Sequence, residues 1–139
     1  MSTDRPDAHL GYLLKHVQQR FFELGAAVLG PIGINGREAA VLRAIADRYP
    51  VSQGEIARGM NVDRTTMVAL IDDLQDKGLV RRRQDPGDRR KNAVELTDTG
   101  RDTVRRAALA VEAAERDFLA PLSAAEAAQF KKILHALLG

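Results

Sequence analysis

A cluster of hydrogen-bond donors at the start of one predicted helix has the chemistry to bind phosphate groups and base edges. Arg64, Thr65 and Thr66 follow Asp63, which can cap a helix over residues 64–77. Guanidinium and hydroxyl groups donate to phosphate oxygens, and the threonine methyl group can contact thymine. The other interpretation is that both threonines only cap the helix and pack against it.

The segment before this helix favours the first interpretation. Residues 52–59 form a short predicted helix, residues 60–62 a tight turn, and residues 63–77 the second helix. This order is a helix-turn-helix, in which the N-terminal end of the second helix enters the major groove of DNA. We therefore predict that these three side chains contact DNA.

Basic residues are concentrated immediately after the helix-turn-helix. The window from residue 77 to residue 91 holds seven of them, opposed only by Asp85 and Asp88, so it carries +5 while the rest of the chain carries −3. The seven are Lys77, Arg81, Arg82, Arg83, Arg89, Arg90 and Lys91. Such a concentration is typical of a protein that binds a polyanion, although a solvated charged hairpin would have the same composition.

A change from helical to alternating hydrophobicity predicts a β-hairpin in the same window. Residues 79–84 and 92–96 form its strands, and residues 85–88 form the turn. Arginines at such a tip can enter a narrow minor groove, and Asp88 can hold Arg90 by an ion pair. The three arginines that alternate along the first strand cannot all face DNA. The predicted tip contacts are Asp88, Arg89, Arg90 and Lys91.

Long helices with broad apolar faces flank this predicted DNA-binding unit. Residues 8–29 form the first, capped by Asp7, and two more fill the last third of the chain. Because such faces need a partner and paired DNA half-sites favour two copies, we expect a homodimer; a monomeric bundle with both ends packed together is the alternative. The predicted fold class is mainly α (α+β). It consists of a winged helix-turn-helix at residues 35–98 between dimerisation helices at residues 1–34 and 99–139.

The composition argues against several classes of protein. The chain has no cysteine, and its sequence lacks Gly-rich phosphate loops, serine nucleophile motifs and paired carboxylates outside capping roles. We therefore expect neither an enzyme nor a cofactor. No apolar run approaches the roughly 18 residues that span a membrane. Residues 1–7 lack the apolar segment of a signal peptide, so a cytoplasmic location is predicted.

The first predicted helix also carries a polar strip with the chemistry to bind a small molecule. His9, Tyr12, His16 and Arg20 fall within about an 80° arc of a helical wheel, beside the apolar face. We expect them to bind an anionic aromatic ligand, with Arg43 as a further partner, because arginine pairs with carboxylates. An exposed helix face or hydrogen bonds at a dimer surface would explain the same residues. A metal site is not expected, because His9 and His16 are two helical turns apart.

Three motifs of this sequence together resemble one family of regulators. They are residues 74–82 (LQDKGLVRR), residues 85–90 (DPGDRR) and residues 94–100 (VELTDTG). The first contains a leucine-x-x-x-glycine-leucine-valine sequence. The second contains aspartate-x-arginine at the tip of the predicted hairpin, which is called the wing, and the third contains leucine-threonine-x-x-glycine. Each motif alone is weak, but all three in this order and spacing closely resemble the multiple-antibiotic-resistance regulator (MarR) family. The resemblance covers essentially the whole chain.

The resemblance implies a homodimer that binds a pseudo-palindromic DNA, usually as a repressor, and is often released by small aromatic or anionic molecules. By position, Thr65 and Thr66 match the recognition helix, and residues 88–90 match the wing. Ala69 stands where many members have a basic or polar residue, so Arg64 is expected to carry more of the specificity. The alternative is a winged helix that binds a protein partner without sequence-specific DNA binding, and the basic wing tip favours DNA.

Overall fold

The computed structural model describes residues 9–85 and 87–139, and for residues 85 and 88–92 it describes the backbone alone. The helices of this described part are α1 (Leu10–Leu29), α2 (Gly36–Arg48), α3 (Gln53–Met60), α4 (Arg64–Asp76), α5 (Asp98–Leu119) and α6 (Ala124–Leu138). Its strands are β1 (Val51–Ser52), β2 (Val80–Asp85) and β3 (Asp88–Leu96), and a 3-10 turn, Gly30–Ile32, follows α1. The predicted mainly helical fold with a single hairpin is confirmed.

Side-chain caps start five of the six described α-helices. Asn35 forms a reciprocal capping box with the residue three positions further on in α2, and Ser123 does the same in α6. Asp63 caps α4, as predicted. The first helix differs, because His9 occupies its N-cap position and makes no side-chain cap. The predicted cap, Asp7, lies outside the described residues.

The three strands form one antiparallel sheet in the order β1-β3-β2. The return strand begins at Asp88 and is longer than the predicted 92–96, because its pairing with β2 continues through charged residues as far as Asp85. The two-residue strand β1 was not predicted from the sequence. Its two residues pair with Val94 and Ala93 and so attach the base of the hairpin to the helical body.

The hydrophobic core lies where α2, α3, α4 and the sheet meet. Its largest fully buried side chains are Leu42, Ile45, Ile56, Met67, Ile71 and Leu74. The last three lie on α4 at positions i, i+4 and i+7, which is the spacing of one helix face. Burial of that face fixes the orientation of α4, so its opposite face is left toward solvent.

The start of α5 packs directly against the segment between α4 and β2. Thr97 accepts a hydrogen bond from the Gly100 backbone and donates its hydroxyl to the Gly78 carbonyl at 2.6 Å. A Cβ atom at Gly100 would lie 1.9 Å from the carbonyl oxygen of Leu79. This close approach explains why the leucine-threonine-x-x-glycine motif ends on glycine.

The helices at the two ends of the chain leave large apolar surfaces uncovered. The inner part of α1 packs on α5, where the Phe21 and Phe118 rings meet edge to face with centroids 5.3 Å apart. The exposed apolar side chains of α1 and α6 include Leu10, Leu13, Leu14, Val17, Ile133, Leu134, Leu137 and Leu138. No residue of α6 is buried in a single copy of the chain. Among the described helices, none combines the length and apolar character needed to cross a membrane.

Candidate nucleic-acid interface

The N-terminal turn of α4 presents hydrogen-bond donors to solvent. Arg64 and Thr65 are exposed, whereas Thr66 is half-buried. The backbone and side chain of Thr66 both hydrogen-bond to Asp63, and these bonds hold the pKa of the Asp63 carboxyl below its ordinary value. Thr66 therefore takes part in the helix cap, while Arg64 and Thr65 project from the positive end of the helix dipole. Ala69, also exposed, has no polar group to add.

The predicted wing contacts lie at the start of β3. Asp88 is the first residue of this strand, and Arg89, Arg90 and Lys91 follow it directly. Backbone pairing of Asp85 with Asp88 closes the hairpin, so these four positions begin at its tip. The side chains of residues 88–91, and with them the predicted Asp88–Arg90 ion pair, lie outside the described part of the structure.

Two of the three arginines of β2 bind one carboxylate on the neighbouring strand. Arg81 and Arg83 lie 2.6 and 3.0 Å from the carboxylate oxygens of Glu95. Burial raises the pKa of Glu95, but the Arg81 hydrogen bond and the charges of both arginines outweigh it and leave that pKa below its ordinary value. These two charges are therefore partly neutralised within the protein.

Arg82 lies on the other side of β2 and reaches both helices of the helix-turn-helix. Its guanidinium group is 2.7 Å from the Asp72 carboxylate and 2.8 Å from the Gln75 side-chain oxygen, both on α4. It also donates to the Gln53 side chain at the start of α3, at 3.2 Å, and to the Val68 carbonyl, at 3.4 Å. In the sequence Arg82 is one of the seven basic residues between positions 77 and 91, and its partners were not predictable because they meet it only in the folded chain.

Lys77, at the C-terminal cap of α4, is also bound within the protein. Its ammonium group lies 2.8 Å from the Glu38 carboxylate and 3.0 Å from the Gly33 carbonyl. Because the Glu38 side chain is only 5% exposed, this ion pair satisfies a charge inside the fold. All four basic residues of the window from 77 to 91 whose side chains the structure describes thus have acidic partners on the protein.

A cavity of about 840 Å³ lies between α1, α2 and α5. Its walls are mostly apolar and include Phe21 and Val104. Arg37, Arg43 and Asp47 of α2 also line it, and the Arg43 guanidinium lies 3.7 Å from the Asp47 carboxylate, which neutralises part of its charge. An apolar chamber with two guanidinium groups has the chemistry to accept a small aromatic anion.

The structure places the five residues predicted to bind a ligand at two locations. Arg43 lines the cavity, whereas His9, Tyr12, His16 and Arg20 are exposed on α1 and do not line it. The Tyr12 and His16 rings stack with centroids 4.0 Å apart. Ligand binding by these four residues stays a prediction. The sequence predicted Arg43 but not the rest of the cavity lining, because that lining comes from helices that are far apart along the chain.

Comparison with known proteins identifies the family. The family model described as MarR family matches residues 32–91. The HTH-type transcriptional repressor Rv2887 of Mycobacterium tuberculosis is 34% identical over 131 residues, which cover 94% of this chain and 94% of that protein. The chain belongs to the MarR family. The resemblance inferred from the three sequence motifs is confirmed, and this MarR-family protein is a transcriptional regulator.

Solved MarR-family structures share the fold along nearly the whole chain. The transcriptional repressor CouR bound to a 23-mer DNA duplex matches with a TM-score of 0.91 and 28% identity, over 100% of this chain and 99% of CouR. CouR from Rhodococcus jostii RHA1 bound to p-coumaroyl-CoA matches with a TM-score of 0.83 and 27% identity, over 97% and 95%. Rv2887 in complex with DNA gives 0.80 and 33%, over 94% and 98%. These matches confirm the winged helix-turn-helix.

Proposed function

We propose that this chain is a homodimeric repressor that binds a pseudo-palindromic operator and is released from it by a small aromatic or anionic ligand. The observation that carries the proposal is the full-length match to a repressor whose solved structure contains a DNA duplex. The relative Rv2887, named a repressor, supports repression over activation. The proposed activity involves no catalysis and no cofactor, and we place it in the cytoplasm.

The uncovered apolar faces of α1 and α6 support dimerisation through the two ends of the chain. In a single copy Leu137 is 76% exposed and Leu14 is 54% exposed, although leucine is among the residues most often buried. A second copy related by a two-fold axis would cover these faces. In this proposal residues 1–34 and 99–139 form the dimer, and residues 35–98 bind DNA.

In the proposed complex the N-terminal turn of α4 enters the major groove and the wing follows an adjacent minor groove. Arg64 and Thr65 carry the first contacts to base edges and phosphates, because they are the exposed donors of that turn. Thr66 holds the turn in shape through its bonds to Asp63. The wing contacts are those predicted from the sequence, Asp88, Arg89, Arg90 and Lys91.

The cavity between α1, α2 and α5 is the first candidate for the ligand site. Its apolar walls would hold an aromatic ring, and Arg37 or Arg43 would pair with a carboxylate or phosphate. The complex of CouR with an aromatic CoA thioester supports this class of ligand. A ligand lodged between α1 and α2 would favour dimer arrangements that hold the two DNA-binding units at a different separation. The strip from His9 to Arg20 is the second candidate.

Selection of binding sites from random DNA, followed by quantitative gel shifts, tests the DNA-binding part of the proposal. We expect the purified protein to select a sequence with two-fold symmetry whose half-sites lie about one helical turn apart or a multiple of it. Affinity should fall steeply between about 50 and 200 mM salt, because phosphate contacts release counterions. Failure to select any sequence, with a flat salt response, would contradict the proposal and favour a winged helix that binds a protein.

Release of the protein from the selected operator tests the proposed response to a ligand. Salicylate and p-coumaroyl-CoA are the probes. Arg43→Ala and Arg20→Ala form a matched pair, because each removes one guanidinium group from a different candidate site. We expect Arg43→Ala to weaken release and Arg20→Ala to leave it unchanged. The opposite result would move the ligand site to the strip on α1. Wild-type protein that neither probe releases would remain a DNA-binding regulator, and the proposed class of ligand would lose its support.

A further inference from the structure

We infer that Arg82 is a positioning residue for DNA recognition, because it fixes the wing relative to the recognition helix α4. The inference rests on the function proposed above, since it concerns how that same DNA-binding surface is held in shape. The Arg82 side chain starts on β2, and its hydrogen bonds end on α3 and α4. One guanidinium group therefore joins the wing to both helices of the helix-turn-helix.

The bonds of this group use the planar fork of an arginine. The Nε atom donates to Gln53, one Nη atom donates to Gln75, and the other Nη atom faces Asp72 and the Val68 carbonyl. The acceptors lie 2.7 to 3.4 Å away in different directions. A lysine ammonium group is a compact point charge on a flexible stem and cannot reproduce this set. The geometry of the side chain therefore matters more than its charge.

The place of Arg82 in the sheet explains why this link would control the wing. Arg82 pairs across the sheet with Val94 of β3, and Val94 pairs on its other side with Val51 of β1. In this row of the sheet, β1 pairs with the inner strand, β3, and holds it against the helical body. Arg82 attaches the outer strand, β2, to α4. The wing and α4 contact different grooves, so their relative position decides whether both can bind at once. A wing fixed in advance loses less conformational entropy on binding DNA.

Substitution of Asp72 allows a test in which simple electrostatics and a positioning role of Arg82 predict opposite changes in DNA affinity. Removal of a carboxylate from a DNA-binding surface ordinarily strengthens binding, because repulsion of the polyanion decreases. If Arg82 positions the wing through Asp72, Asp72→Asn instead weakens binding. Asp73→Asn is the matched control, because Asp73 is exposed on the same helix and is not part of the Arg82 cluster. Both substitutions change the net charge by the same amount.

Operator affinity would be measured on the full-length protein by fluorescence anisotropy. Asp72→Asn and Arg82→Lys should each weaken binding about tenfold, the scale of one mismatched base pair. Asp73→Asn should bind as tightly as the wild type or slightly more tightly. The double variant Asp72→Asn with Arg82→Gln should be no weaker than Arg82→Gln alone, since both changes break the same link.

Hydroxyl-radical footprinting separates a positioning role from a general loss of folding. We expect Asp72→Asn to lose protection of the outer DNA positions, which the wing covers, and to keep the protection that α4 gives. A uniform loss at all positions would show a merely structural role and overturn the inference. Full affinity in Arg82→Lys would also overturn it, because a direct charge contact with phosphate would then suffice.

The wild type distinguishes failure of this inference from failure of the proposed function. If the wild type selects no operator, the proposed function fails and the inference falls with it. If the wild type binds its operator and Asp72→Asn binds as tightly as Asp73→Asn, the role of Arg82 alone is overturned.

Discussion

Neighbouring arginines on β2 have different tasks because successive side chains of a strand point to opposite faces of the sheet. Arg81 and Arg83 share the Glu95 carboxylate, whereas Arg82 binds Asp72 on α4. Alternation along the strand predicts that the three side chains separate in this way. The partners were not predictable, because Glu95 and Asp72 belong to different elements that come together only in the fold. The net charge of +5 on residues 77–91 therefore overstates the charge that faces a bound polyanion.

Gly100 gives the sharpest stability prediction for a single residue. In Gly100→Ala the new methyl group would lie 1.9 Å from the Leu79 carbonyl oxygen, so α5 or the start of β2 must move. We expect the free energy of unfolding to fall by about 3 kcal/mol, the upper range for overpacking. Urea unfolding followed by circular dichroism measures this change.

Gly54→Ala is the control for this substitution. Its Cβ atom would meet the Arg58 guanidinium at 3.7 Å, an ordinary van der Waals contact, and alanine is the better helix former. The free energy of unfolding should stay the same or rise by less than about 1 kcal/mol. Equal losses in both variants would contradict the steric explanation.

At the scale of whole elements, the caps and the hairpin differ in how well the sequence predicts them. A capping pair such as Asn35 with Glu38 is local, so its residues and spacing are sufficient to place the start of α2. The β1 strand has two residues and no periodicity to detect, and it exists because β3 lies beside it. The cavity is a still less local feature, since Phe21, Arg37 and Val104 line it from three helices.

The cap of α4 predicts a pH dependence of stability. Bonds to Thr66 lower the pKa of Asp63 in the folded chain. The ionised cap therefore stabilises the fold fully at pH values above the pKa of the unfolded chain, which is about 4. This stabilisation should be lost as pH falls through the lowered folded value. Urea unfolding from pH 7 to pH 2 would compare the wild type with Asp63→Asn, which keeps a cap that cannot titrate. A difference between the two that stays constant across this range would contradict the prediction.

The recognition helix and the wing should respond differently to the loss of one arginine. Arg64→Ala should cost about 1–3 kcal/mol of binding and change the preferred operator sequence, because a base-edge contact is lost. Arg90→Ala should weaken binding to all sequences more uniformly and leave circular dichroism unchanged. Repeated binding-site selection with each variant measures both effects. Arg105→Ala, which removes an exposed arginine from α5, is the control. If neither Arg64→Ala nor Arg90→Ala alters binding, the assigned surface is wrong.

At the scale of the whole molecule, the unburied α6 predicts that DNA binding depends on dimerisation. Leu134→Glu combined with Leu137→Glu places two charges on the apolar face of α6, so the dimer should dissociate in analytical ultracentrifugation. Operator affinity should then fall about 100-fold or more, since each half-site is bound alone. Lys132→Glu, on the polar side of the same helix, is the control and should stay dimeric. A double variant that remains dimeric would show that other surfaces hold the two copies together.

The short β1 strand has a consequence for how such proteins diverge. It supports the hairpin only at Ala93 and Val94, near the base, and the sequence beyond that level, residues 84–92 (QDPGDRRKN), has no large apolar side chain to add to the hydrophobic core. Substitutions and insertions at the tip can therefore accumulate with little cost to folding. New operator preferences can arise there by gradual mutation, while the buried residues of α4 and the sheet keep the same architecture.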